Sequence, residues 1–337
     1  LPGGAPPCTR RGTPGVTAAA GRRMKIAVIG SGVAGLSCAW LLRDHHEVTL
    51  FEADNRFGGH AHSHEVSHGG GSFVLDSGFI VFNERTYPNL IKLFARIGVV
   101  SQPSDMSFGV RCRRCAIEYS SRGLAGLFAT PSLLASPAHF RLLADIARFG
   151  RLGKAFLKAP VEDLALRDFL LQGRFSSTFT RHFILPMAGA VWSASFGRVL
   201  DFDSASFLRF FDNHGWLTLN GAPRWLTVRG GSREYVSRLV EALGSRARKA
   251  TPILRVERAE GGVVARGEGG AVWTFDQVVL ACHADHARRI LASGAQAELD
   301  ALNAFTYSEN RTFLHADRAA LPTKTAAWAS WNCDVQD

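Results

Sequence analysis

The residues best suited to chemistry lie near the start of this 337-residue chain. Gly30-Ser-Gly32-Val33-Ala34-Gly35 follows the β-branched apolar run Lys25-Ile-Ala-Val-Ile. It opens the helix-like stretch Leu36-Ser-Cys-Ala-Trp-Leu-Leu42. A second apolar run, Glu47-Val-Thr-Leu-Phe, ends in Glu52. Strand, glycine turn, helix, strand and acid, in that order, make a dinucleotide-binding unit. Gly30 permits the tight turn, Gly32 leaves the backbone open to a pyrophosphate, and Gly35 lets helix and strand pack closely. The helix N-terminus offers free N–H groups and a partial positive charge to the phosphates. Glu52 can accept a hydrogen bond from a ribose 2′-OH and would repel a 2′-phosphate, which argues against NADP. A bare GxGxxG is a weak signal in a chain with 34 glycines, and the surrounding elements make it specific.

Just past Glu52 and Ala53 comes Arg56-Phe-Gly58-Gly59-His60, a second stretch of bare backbone. Together these segments resemble the opening of the flavin-containing amine oxidase superfamily, which includes amine oxidases, phytoene-type desaturases, protoporphyrinogen oxidase and UDP-galactopyranose mutase. The resemblance implies FAD as cofactor, held by Gly30, Gly32, Val33, Ala34, Gly35, Glu52, Ala53, Arg56, Gly58, Gly59 and His60. Leu75-Asp76-Ser77-Gly78-Phe79 is similar to the D-x-G segment near the flavin, so Asp76 and Gly78 join the set. Thr227-Val-Arg-Gly230-Gly231-Ser232 is similar to the return from the substrate domain. Pro252-Ile-Leu-Arg-Val256 is similar to the strand whose backbone meets the adenine, which adds Val256. Phe275-Asp-Gln-Val-Val-Leu-Ala-Cys282 is similar to the strand closing that half. Leu185-Pro-Met187, Val191-Trp192-Ser193, Asn213-His214-Gly215 and Trp225 to Ser232 resemble a bacterial subgroup known as FAD/NAD-binding oxidoreductases. Its members sit beside lipid-modifying methyltransferases, which implies an apolar, acyl-chain or isoprenoid-like substrate.

The expected fold class is α/β: a Rossmann-like FAD-binding domain interrupted by a mixed helical and β substrate domain. The FAD-binding part is placed at 24–84 and 218–292, the substrate part at 85–217 and 293–337. Helical spacing appears at 90–97, 132–149, 161–171 and 175–185, punctuated by Pro131, Pro137, Pro160 and Pro186. Alternation from Phe305 onward reads as strands. Residues 1–23, rich in Gly, Pro and Ala, read as a disordered leader with no signal-peptide core. The resemblance implies a further C-terminal segment beyond Asp337, with the last contacts to pyrophosphate and flavin.

A flavin carries the redox chemistry, so the protein needs to bind, orient and tune. His60, His62 and His64 alternate, which on a strand puts them on one face. They could hold a metal or a covalent flavin, but the favoured reading sets His60 beside the pyrophosphate or flavin. Cys112-Arg-Arg-Cys115 has ligand spacing but lacks a second local pair, so it reads as a polar hairpin and no metal site is assigned. Amine-oxidising relatives place a lysine near the flavin, and the matching stretch Glu309 to Leu314 has Asn310 and Arg311 instead. That favours C–C oxidation or isomerisation over amine oxidation. Trp192, Phe207, Phe210, Phe211, Trp216 and Trp225 read either as an apolar wall facing the flavin or as core. His214 among them is the candidate for proton transfer, since imidazole titrates near neutrality.

The formal charge is +10, from 39 basic and 29 acidic residues. The basic residues are scattered, with no run of five, so nucleic-acid binding is not expected. Contact with an anionic membrane surface stays open, and no segment is apolar enough to span one. Six cysteines are too few for a disulfide scaffold, which suits the cytoplasm. The leading expectation is an FAD-dependent oxidoreductase taking a hydride from a small apolar substrate. A non-redox flavoprotein isomerase or mutase, or an inactive shortened flavoprotein, are the alternatives. The oligomeric state is not legible.

Overall fold

The computed structural model describes residues 22–192, 196–218, 221, 223–307 and 309–335. The expected leader up to residue 21, and Ser193, lie outside the described residues.

The first strand, Lys25–Ile29, is buried on all but its leading residue, as its β-branched composition demands. It pairs in parallel with Glu47–Phe51 on one side and Gln277–Leu280 on the other. Ala247–Arg248 extends the sheet beyond Glu47–Phe51. Strands remote in sequence thus form one four-stranded parallel sheet. The helices Val33–Leu42 and Arg233–Leu243 pack on one face, where Leu36, Ala39, Tyr235 and Leu239 are buried with Val28 and Leu50. The antiparallel sheet Ile253–Ala259, Gly262–Gly267 and Val272–Phe275 covers the other, with the Phe51 and Trp273 rings 5.0 Å apart. This is the α/β class expected.

Several expected elements differ. The run 275–282 is not one strand: Val272–Phe275 lies in the antiparallel sheet and Gln277–Leu280 in the parallel one. Asp276 makes the break, its carboxylate accepting the Lys25 amide at 2.7 Å. The helix Pro88–Ile97 and strand Ser101–Pro103 fall in the stretch expected to belong to the substrate part. Yet Leu93 and Phe94 share a core with Leu36 and Tyr235, and Ser101–Pro103 pairs with Trp225–Val228. Position 161–165 is not helical; Asp163 has φ 55° there and the helix runs Leu166–Gln172. Residues 305–330 form no strand among those described, and only Trp331–Val335 does, parallel to Phe108–Cys112.

The helices Pro137–Phe156, Leu166–Gln172, Leu185–Trp192 and Ser204–Asn213 enclose a second core rich in aromatic rings. Pro137–Phe156 is the longest, started by Pro137 at its first position and by the Ser136 hydroxyl, which accepts the His139 amide at 3.3 Å. Between Ser177–Phe179 and Leu185–Trp192 the turn Thr180–Ile184 is π-helical. No described helix is long and apolar enough to cross a membrane.

Candidate active site

The glycine turn is built by close packing. A Cβ on Gly35 would overlap the Gly30 carbonyl oxygen, so only glycine lets the helix approach the strand here. Gly32 is the opposite case: a Cβ there would meet nothing within 4 Å, because the site ahead of it is open. Gly59, with φ 57°, lies against Gly32, where an added Cβ would stop 3.0 Å from the Gly32 Cα. The two bare segments therefore form one floor.

Ser31, fully buried, ties that floor together. Its amide and hydroxyl both donate to Glu52 Oε2, at 2.9 and 2.5 Å, and its Oγ accepts the Gly58 amide at 3.1 Å. Glu52 Oε1 accepts the Asp54 amide at 2.9 Å. These donors fix the carboxylate at the strand end while leaving acceptor capacity for a ribose hydroxyl. Arg56 donates from Nη2 to the Gly59 carbonyl at 2.8 Å, and its Nη1 is buried without a partner. A buried guanidinium nitrogen facing bare backbone is a site for an anion.

These groups line a cavity of about 1520 Å³. That exceeds the ~300–1,000 Å³ of ordinary small-ligand pockets and suits an extended dinucleotide. Gly30, Gly32, Val33, Ala34, Glu52, Ala53, Arg56, Gly58, Gly59 and His60 are on its wall. Its other walls are largely apolar, with Trp40, Phe79, Leu90, Leu93 and Tyr235.

Four of the expected residues sit elsewhere. Gly35 acts behind the wall, as its packing role requires. Val256 is buried, facing Ala265 across the antiparallel sheet, and its carbonyl accepts the Ala292 amide at 2.9 Å. Thr251, Ile253 and Leu254 make the wall in that stretch. Asp76 accepts the Ser232 amide on both oxygens at 3.0 Å and the Ser63 hydroxyl at 2.5 Å. It ties the hairpin Ser63–His68 and Gly71–Asp76 to the start of Arg233–Leu243. Gly78 packs on the His60 carbonyl, with no room for a Cβ. Asp76 and Gly78 thus hold the segment carrying His60 without lining the cavity.

His214 does not line it either. Its ring is stacked 3.9 Å from Phe210, and Nδ1 lies 2.7 Å from the Phe210 carbonyl. Burial pushes its imidazole below the usual range, the Phe210 carbonyl opposes this, and Arg85 adds to the lowering. Phe207 and Phe211 are fully packed, and Trp192 lies 4.6 Å from Phe210. The aromatic group is core because facing helices close over it, which periodicity alone could not tell.

The three alternating histidines do not converge. His60 stacks on His283 at 5.3 Å, while the His62 and His64 rings lie 4.0 Å apart. His64 Nε2 is 2.8 Å from the Ser77 hydroxyl. Burial, then Arg56 and His64, push the His62 imidazole down. The stretch with Asn310 and Arg311 is exposed and off the cavity, and the Lys324 amide donates to Glu118 Oε2 at 2.7 Å.

Sequence reasoning missed Ser31 and the cluster Cys282, His283, His286 and Arg289 on the wall. A hydroxyl between two glycines signalled the first. The second is positioned by the parallel pairing of Gln277–Leu280 with Lys25–Ile29, a long-range contact.

A family profile described as flavin containing amine oxidoreductase matches residues 33–330. A coproporphyrinogen III oxidase of Mycobacterium tuberculosis is 26% identical over 281 residues, 78% of this chain and 60% of that protein. The chain thus spans 60% of the length of that curated relative. Among solved structures, a putrescine oxidase variant superposes with a TM-score of 0.64 at 17% identity, over 83% of this chain and 63% of that one. A CLA-producing fatty acid isomerase from P. acnes does so with a TM-score of 0.56 at 17% identity and the same coverage. At these identities the superpositions show the fold. The open floor at Gly32, the orphaned Arg56 nitrogen and the size of the cavity fit FAD. The chain belongs to the flavin containing amine oxidoreductase family, and its cofactor is FAD.

Proposed function

We propose that this protein is an FAD-dependent oxidoreductase that takes a hydride from a small apolar substrate. The observation carrying the reading is one cavity that joins the Gly30–Gly35 and Gly58–Gly59 floor to a largely apolar wall. The chemistry FAD would supply there is a hydride acceptor that a second substrate can reoxidise. The Val33 helix start and Arg56 would hold the pyrophosphate, and Glu52, fixed by Ser31 and Asp54, the ribose. Phe79, Leu90, Leu93 and Tyr235 would keep water from that part of the cavity. This largely apolar lining supports an apolar substrate class. An acyl chain or isoprenoid-like lipid has the required apolarity. With this goes a division of labour: 24–84 and 218–292 hold the cofactor, and the helix Pro88–Ile97 lends Leu90 and Leu93 to the apolar wall.

The test is the visible spectrum of the purified chain, native and unfolded, followed by anaerobic mixing with candidate lipids. A yellow protein releasing FAD on unfolding and bleached by one such lipid is expected. Flavin retained by the unfolded chain would point to covalent attachment at His60, His62 or His64. A lipid rearranged without net bleaching would reassign the protein as a flavoprotein isomerase. A chain that binds no added FAD would overturn the proposal.

A further inference from the structure

The pair Cys112 and Cys115, unassigned by the sequence, has a third partner in the fold. Cys112 ends the strand Phe108–Cys112 and faces Ile117 across the hairpin to Ile117–Ser120. Cys115 lies in the connecting turn, where Ala116 has φ 51°. The turn brings both sulfurs to the side facing the π-helical turn Thr180–Ile184, which carries His182. Both sulfurs and a His182 ring nitrogen lie within 4.8 Å of one another. We propose that Cys112, Cys115 and His182 form a zinc site, with a water molecule as the fourth ligand.

His182 supplies the independent observation. Its residue is only 4% exposed, and neither ring nitrogen has a hydrogen-bond partner. A buried imidazole with two idle nitrogens is costly, and a metal would satisfy one of them. The backbone is set for the purpose. His182 sits in the π turn Thr180–Ile184, and such turns concentrate at functional sites. The fully buried Tyr119, on the same hairpin as the cysteines, donates its hydroxyl to the His182 carbonyl at 2.6 Å. The hairpin and the helix are thereby locked at the point where the three ligand atoms meet.

The chemistry selects the ion. Around a tetrahedral zinc, Zn–S of ~2.3 Å and Zn–N of ~2.0 Å put ligand atoms about 3.5–3.8 Å apart, so the observed group needs only a small contraction. Two thiolates and one imidazole are a soft donor set, suited to zinc rather than to magnesium or calcium. Each thiol gives its proton to solvent as zinc binds, and the two thiolates neutralise the ion. That neutrality matters because Arg114 and Arg181 act on His182 with positive charge, and a cation held by neutral ligands would be repelled. Cys112 and His182 are buried and Cys115 is exposed, so the open position faces solvent at the Cys115 edge. None of these three residues lines the flavin cavity, and the proposal stands independently of the flavin reading.

The experiment uses the full chain, reduced, stripped of metal and titrated with Co²⁺ as a spectroscopic stand-in for Zn²⁺. One Co²⁺ per chain is expected, with tetrahedral ligand-field bands and a thiolate-to-metal charge-transfer band, displaced by one equivalent of Zn²⁺. The exposed Cys115→Ser should fold normally and halve the charge-transfer intensity per bound ion. Its affinity should fall by ~100-fold or more, since even the outer partners of metal ligands are worth about 10–100-fold. His182→Asn should remove binding while circular dichroism stays native. Three results would overturn the proposal. One is no Co²⁺ uptake by the reduced wild type. Another is uptake without a thiolate band that disappears in His62→Ala/His64→Ala, which would mark the histidine pair instead. The third is a Cys112–Cys115 disulfide that re-forms in the presence of excess Zn²⁺.

Discussion

Ser31 is joined to Glu52 twice, through its amide at 2.9 Å and its hydroxyl at 2.5 Å. The hydroxyl oxygen also accepts the Gly58 amide, so one buried side chain links the acid to both bare-backbone segments. Hydrogen bonds to charged groups are worth about 1.5–3 kcal/mol. Ser31→Ala should therefore weaken FAD binding by roughly tenfold, the factor that ~1.4 kcal/mol corresponds to. Fluorescence titration of the stripped protein with FAD measures it. Unchanged affinity would show that Glu52 is held in place without Ser31.

Two glycines three residues apart should respond in opposite ways. Gly32→Ala adds a Cβ to open space, so the melting temperature of the flavin-free chain should not move while FAD binding falls. Gly35→Ala drives a Cβ into the Gly30 carbonyl, and overpacking of this kind costs about 1–3 kcal/mol or more. Thermal melts with and without FAD separate the two effects. Equal destabilisation by both variants would contradict the geometry.

Asp145 is a buried carboxylate, only 1% exposed. It accepts the Ser176 amide at 2.9 Å and the Arg148 guanidinium at 2.8 Å. Burial opposes its charge, yet the Ser176 amide and side chain and then Arg148 hold the carboxyl below its usual range. Removing the carboxylate leaves the Ser176 amide without its acceptor and Arg148, 28% exposed, without its charge partner. Asp145→Ala should cost about 1–3 kcal/mol in urea unfolding, the penalty of an orphaned buried donor, because Arg148 can turn to solvent. A loss under ~1 kcal/mol would mean that the network adds little.

Stability should fall on mild acidification. His139 and His214 are buried, and burial holds both imidazoles below the usual range. Near pH ~6.5 and below, the unfolded chain binds protons on these residues that the folded chain refuses. Their contribution is complete above about pH 6.5 and drains away as the pH falls towards their folded values. The lowered carboxyls of Glu118 and Asp334 add a second loss, below about pH 4. Melting temperatures across this range test the sign. His214→Phe keeps the stacking on Phe210 and should flatten the first slope. It should leave flavin binding intact, because His214 is off the cavity wall.

The nucleotide unit was readable because its signals are local. A buried strand, a glycine turn and a helix follow one another within residues 25–42, and the steric needs of Gly30 and Gly35 act between neighbours in that segment. Glu52 follows from the end of the next strand. The sequence by itself therefore determined the α/β class and, through resemblance, the flavin family, and it marked the two glycine segments that meet at Gly32 and Gly59. Tertiary structure decided what depends on remote segments meeting. It split 275–282 between two sheets, carried Pro88–Ile97 to the flavin side, buried His214 in the aromatic core, and withdrew Val256 and Asp76 from the wall. It also brought His182 to Cys112 and Cys115 across dozens of intervening residues. Periodicity records which face of an element is buried, but not against what. That choice belongs to packing between elements far apart in the chain, and spacing along the sequence does not encode it.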